Sequence, residues 1–139
     1  MTETLGEGSI GAILKFLPVL ESPGFAFGEL VAQPGQFGYA RMAPEVDAFV
    51  QALYDNGWVE PFDWSKFQDE AIGYFENPSR LETVGVDTVR KLLTLHVRKD
   101  RFCDGHLLEM LEKGHIQAIL RRLAQLTVAA SASAHSTEQ

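Results

Sequence analysis

The sequence predicts a mainly α-helical single domain of five or six helices, with one long irregular loop over residues 21–43 and room for one short extended segment. Three observations carry this. Apolar residues recur at helical spacing in separate stretches between Ile10 and Leu126. Glycine or proline, the residues that end helices, stands between most of those stretches. No alternation of strand and helix patterns points to a parallel sheet. At 139 residues and 45% hydrophobic content, the chain is long and apolar enough to build an ordinary core.

Residues 1–8 are expected to fray, and the folded domain is expected to span 9–127. Ser9 is placed to cap a helix with Ile10, Ile13, Leu14 and Leu17 on one face, ended or bent by Pro18. Residues 21–43 hold Pro23, Gly24, Gly28, Pro34, Gly35 and Gly38, so helix is not expected. Pro44 fits the first turn of a helix carrying Val46, Phe49, Val50, Leu53 and Tyr54, stopped at Gly57. Asp63 is expected to cap a helix with Trp64, Phe67, Ile72 and Phe75 inward, broken at Asn77-Pro78, where a short turn runs to Leu81. Asp87 is expected to cap the next helix, with Val89, Leu92, Leu93, His96 and Val97 inward and Arg98 and Lys99 at its carbonyl end. Asp104 is expected to cap a helix through Leu107, Leu108 and Leu111, closed by Gly114. Ile116, Ile119, Leu120, Leu123 and Leu126 make the clearest helix. The Ala- and Ser-rich residues 128–139 have no large apolar side chain after Val128 and are expected to be a disordered tail.

Charge narrows the function classes. Of the net −7, residues 1–79 contribute 3 basic and 12 acidic side chains, and residues 80–139 contribute 9 basic and 7 acidic. An acidic half repels a phosphate backbone, so no nucleic acid is expected as partner. The asymmetry reads as two halves attracting each other within one fold. A single cysteine, Cys103, forbids an internal disulfide and any zinc site built from several thiolates. That usage suits a reducing compartment. No stretch reaches the roughly 20 apolar residues a membrane span needs, and no secretory leader is recognisable. The expectation is a soluble cytoplasmic protein, with a homo-oligomer left open.

Two regions concentrate chemistry-bearing residues. The first is 96–115, which gathers His96, His106, His115, Cys103 and the cations Arg98, Lys99 and Arg101. Thiolate and imidazole suit zinc, but the spaced pairs of ligands are missing, so no metal and no cofactor is expected. His96 lies on an apolar helical face, where a hydrogen-bonded core histidine is the commoner outcome. Cys103 beside Phe102 reads as a small buried hydrophobe. As a nucleophile, Cys103 would gain from a helix start, Arg101 and His106, yet Asp104 competes for the same amides. An anion held by Arg98, Lys99 and Arg101 meets the same objection. The carboxylates Glu109 and Glu112 read as solvated surface.

The second region is aromatic. Twelve of the fourteen aromatic residues fall between 25 and 75, which moves the search for a binding surface there. Tyr39, Tyr54, Trp58, Asp63 and Trp64 lie among acids and are candidates for a groove that takes a protein or small-molecule partner. The competing reading is that large rings pin the long loop to the core. The working expectation is a binding or interaction module using residues 37–64. The alternative is an enzyme or anion-binding domain centred on Arg101, Cys103 and His106.

One resemblance bears on the C-terminal half. Lys91-Leu92-Leu93, Asp100-Arg101-Phe102-Cys103-x-Gly105, then Gly114 and Ile116 to Leu123 with Arg121-Arg122, resemble a family of small bacterial proteins known only as a domain of unknown function. Its mark is Arg-Phe-Cys-x-Gly, a helix, a Gly, and Ile-x-x-Ile-Leu-x-Arg-Leu. Phe62-Asp63-Trp64 is a weaker second match. The resemblance implies a bacterial, soluble, helical domain and carries over no catalytic residue. It marks Arg101, Phe102, Cys103, Gly105 and Gly114 as one unit, either a structural corner or a site.

Overall fold

The computed structural model describes residues 7–31, 39–103 and 105–137. It is a single, mainly helical domain. In order come α1 (Glu7–Leu14), α2 (Leu17–Leu20), β1 (Gly28–Val31), β2 (Tyr39–Met42), α3 (Pro44–Asp55), a 3-10 turn (Trp64–Phe67), α4 (Gln68–Glu76), a second 3-10 turn (Pro78–Thr83), α5 (Val86–Asp100), α6 (His106–Glu112) and α7 (His115–Thr137). None of the described helices is long and apolar enough to cross a membrane.

The first expected helix is two helices. Pro18 has no N–H to donate to Leu14, so the α-helical ladder cannot pass it, and Pro18 instead occupies the first turn of α2. Helix α1 begins at Glu7, so Ser9 lies inside its first turn and is not its cap. The region 21–43 is less irregular than expected. Within it, Gly28–Val31 and Tyr39–Met42 form a two-stranded antiparallel sheet with Gly28 opposite Met42 and Val31 opposite Tyr39. A Cβ on Gly28 would meet the Arg41 carbonyl oxygen at 2.4 Å, so a glycine that reads as a breaker is what lets the strands close. Asp104, Phe37 and Gly38 lie outside the described residues, as do residues 1–6 of the expected frayed end.

Helices α5 and α7 cross at the centre, with α6 against both, and α1, α2 and α3 complete the core. Val89, Leu92 and Leu93 of α5 are buried against Ile116, Ile119, Leu120 and Leu123 of α7, the face that the 3.6-residue period predicts. Val46, Phe49 and Leu53 bury one side of α3. Gly57, at φ +77°, turns the chain away from α3. The segment that follows is tied to α5. The buried Thr94 hydroxyl donates to the Trp58 carbonyl at 2.9 Å and accepts from the Glu60 amide, while Arg90 donates to the Gly57 carbonyl at 2.8 Å. Arg90–Glu60 and Arg121–Glu21 pair a cation from the basic half with an anion from the acidic half, as the charge distribution predicts.

Three further helix starts differ from expectation. Gly85 occupies the cap position of α5, and Asp87 sits within the first turn, paired with Lys91 at 3.4 Å. The chain after Asp63 opens as a 3-10 turn before becoming α4. At α6 the cap position belongs to Gly105, at φ +90°, and the Leu107 amide is satisfied by the Asp100 carboxylate at 2.9 Å. The last residue of α5 thus supplies an acceptor that α6 lacks at its own start. Helix α7 continues to Thr137, past the boundary at 127. Alanine, the strongest helix former, fills much of that extension and carries the helix where apolar pattern gives out.

Candidate functional site

The described structure divides the expected sites into a buried histidine cluster and an exposed aromatic corner. Trp58 belongs to neither. It is fully buried, and its indole N–H donates to the Ser9 carbonyl at 2.9 Å. The large-ring reading of the aromatic region therefore holds at Trp58, and this side chain is unavailable to a ligand. Tyr39 lies in β2. Its side chain is not among those described.

The exposed corner joins residues that the sequence keeps far apart. The Arg101 guanidinium lies 5.9 Å from the centre of the Tyr54 ring, which is 37% exposed. Next to it in sequence, Phe102 packs against Trp64 with ring centres 5.9 Å apart and planes tilted by 32°. Phe102 is nevertheless 77% exposed. Cys103 is exposed as well, which corrects the expectation of a buried thiol. The chain leaves α5 at Asp100, so Phe102 and Cys103 have no helical face to bury. Asp63 is exposed nearby in sequence. The Ser65 hydroxyl donates to its carboxylate and holds its pKa below the usual value, helped by Lys66 at 3.7 Å.

His106 faces a different environment. Its Nε2 lies 3.0 Å from Nδ1 of His96, with the rings stacked at 5.2 Å. One of these nitrogens donates and the other accepts, so the pair can hold at most one added proton. The His96 ring meets His115 edge to face at 5.0 Å, and His115 meets Phe75 in the same way at 5.2 Å. His96 and His115 are 3% and 4% exposed. Their Nε2 atoms are buried without a hydrogen-bond partner among the described residues.

Burial dominates the electrostatics of this cluster, because an imidazolium loses its water there. It pushes His96 well below the ordinary histidine value, and charge on His115, His106 or Lys99 would push the same way. It lowers His115 to about 4, with His106 adding to the effect. For His106, burial and then Lys99 lower the pKa, partly offset by Asp100 and Glu109. All three rings are therefore neutral at neutral pH. Among the described residues no group of three or more His, Cys, Asp or Glu side chains could hold a metal ion. The His96 and His106 nitrogens point at each other instead of at a shared centre.

A cleft of about 220 Å³ opens beside the histidines, between α4, α5 and α6. Its polar lining is Gln68, His96, Lys99, His106 and Glu109; its apolar lining is Ala71, Ile72, Phe75, Leu95 and Met110. Ile72, expected to face inward, is 47% exposed. Arg101 and Cys103 do not line the cleft, so the grouping of Arg101, Cys103 and His106 as one centre is not what the described structure brings together. Sequence reasoning missed Gln68, Phe75 and Met110, and it grouped Lys99 with Arg98 and Arg101 instead of with the histidines. The usable signal was spacing: 68, 71, 72 and 75 on one helix, 95, 96 and 99 on the next, and 106, 109 and 110 on the third each mark a single face.

The match to known proteins is at the level of family. A model of a family of unknown function (DUF6508) covers residues 7–129, and the chain belongs to that family. No curated protein and no solved structure matches the chain.

Proposed function

We propose that this family member is a binding module, and that it engages a protein partner through the corner formed by Tyr54, Trp64, Arg101 and Phe102. The observation that carries the reading is the 77% exposure of Phe102, a large ring held against Trp64 yet left facing solvent. Leaving such a ring exposed forgoes the roughly 2 kcal/mol that burying it would contribute. Tryptophan, tyrosine and arginine are also the residues that dominate binding energy at protein interfaces. Arg101, near the Tyr54 ring, brings a cation that suits a partner with a carboxylate beside an apolar side chain.

The exposed Cys103 gives a direct test. It is the sole cysteine, so a photoreactive maleimide attached there reports what sits on the corner. Discrete adducts with a defined protein are expected. Their yield should fall about tenfold in Phe102→Ala, the size of a moderate interface contribution, with the melting temperature unchanged. Adducts that ignore Phe102→Ala would sink the reading.

A further inference from the structure

We propose that the cleft between α4, α5 and α6 is a second, independent binding site, which takes a small carboxylate with an apolar body and holds it between Lys99, His106 and the apolar floor. The cleft combines what such a ligand needs. Phe75, Leu95 and Met110 supply an apolar floor, and Ile72 stands half-exposed at its side. A cavity of about 150 Å³ is enough for benzene, so about 220 Å³ accommodates one ring and a carboxylate.

Charge selects the head group. Two charged side chains line the cleft, Lys99 and Glu109. Glu109 is engaged by Lys113 at 3.0 Å. Lys99 makes none of the ion pairs seen among the described residues and meets Glu109 only at longer range, so it still offers a carboxylate a cation. The histidine pair adds a second feature. His96, buried and with an unpartnered Nε2, lines the same cleft and is joined to His106 through its other nitrogen. A buried polar atom of that kind is costly in a purely structural cluster.

A carboxylate beside His106 favours its imidazolium. The charged ring can keep its bond to His96, with His106 Nε2 donating to His96 Nδ1, so the pair accepts the proton without rearranging. The charged and titratable groups around His106 are His96, Lys99 and Asp100 on α5, Glu109 on α6, Lys113 paired to Glu109, and His115 on α7; α4 presents the neutral Gln68. Binding should therefore take up protons and strengthen as pH falls below neutrality.

The test is a titration of the full chain with benzoate, benzyl alcohol and benzylamine, read from the histidine ring signals by NMR. Benzoate is expected to shift the His96 and His106 signals saturably, with affinity on the order of millimolar for so small a ligand. Its binding should tighten several-fold between neutral pH and about pH 5.5. Lys99→Gln should weaken benzoate about tenfold, as loss of a charge-assisted contact does, and leave benzyl alcohol unchanged. The proposal is overturned if benzylamine binds in place of benzoate, or if no probe moves either ring. Phe102→Ala should leave benzoate binding intact, so this test and the crosslinking test fail separately.

Discussion

Helix α5 serves two regions that differ in almost every physical respect. Its inner face places His96 in a largely buried cluster with His106 and His115, where rings stack and nitrogens pair. Just beyond its end, Arg101, Phe102 and Cys103 stand in water against Tyr54 and Trp64. The two regions are neighbours in sequence, and residue density alone merges them. What separates them is helical phase. His96 keeps the period of Val89, Leu92 and Leu93, whereas Phe102 lies past the last helical turn and owes nothing to that period. A cluster of reactive residue types therefore says little until each is assigned to a face.

The contrast can be broken first at the two tryptophans. Trp58 is fully buried and hydrogen-bonded, and Trp58→Ala should cost about 3–5 kcal/mol in urea unfolding. Trp64 is only half-buried, so Trp64→Ala should cost roughly 1 kcal/mol, in line with its smaller lost area. Equal losses would mean that the corner belongs to the core.

Acid provides the next separation. His115 titrates in the folded state at about 4, below its ordinary value of 6.5. Between those values the unfolded chain binds more protons than the folded one, so stability falls as pH drops from 6.5 towards 4 and levels off below that. The shift corresponds to about 3 kcal/mol for His115 alone, and the lowered His96 acts in the same direction. His115→Gln should flatten the unfolding free energy over this window, whatever it does at neutral pH. A slope that persists unchanged would assign the acid sensitivity to other groups. The corner contributes nothing to this profile, because none of its groups is a buried base.

Much of the fold was legible from period alone. The buried faces of α3, α5 and α7 are the ones their apolar spacing marks, and Pro44, Gly57, Pro78 and Gly114 punctuate the chain where expected. The losses have specific causes. Gly28 reads as a breaker because sequence does not show the backbone that will approach it. Asp87 reads as a cap by residue type, whereas the cap depends on backbone angles that place Gly85 there. The sites were less legible still. Trp58 and Trp64 share a residue type and an acidic neighbourhood, and long-range ties from Thr94, Arg90 and the Ser9 carbonyl hold one of them in the core. The pairing of His96 with His106 crosses from α5 to α6, and no local pattern encodes it.

The smallest expected effect is also the one that most sharpens the contrast. If Arg101 braces the fold, removing it should cost several kcal/mol, as breaking a buried charge network does. Its only described side-chain partner is the half-open Tyr54 ring, 5.9 Å away, near the outer limit for a cation–π contact. Arg101 is itself exposed, so water replaces most of what the ring provides. Arg101→Ala should therefore lower the unfolding free energy by less than about 1 kcal/mol. Crosslinking from Cys103 should nevertheless fall in the same variant, as the proposed contact between the guanidinium and a partner's carboxylate requires. A large loss of stability would return Arg101, Phe102 and Cys103 to the role of structural corner, leaving the histidine cleft as the stronger candidate of the two regions.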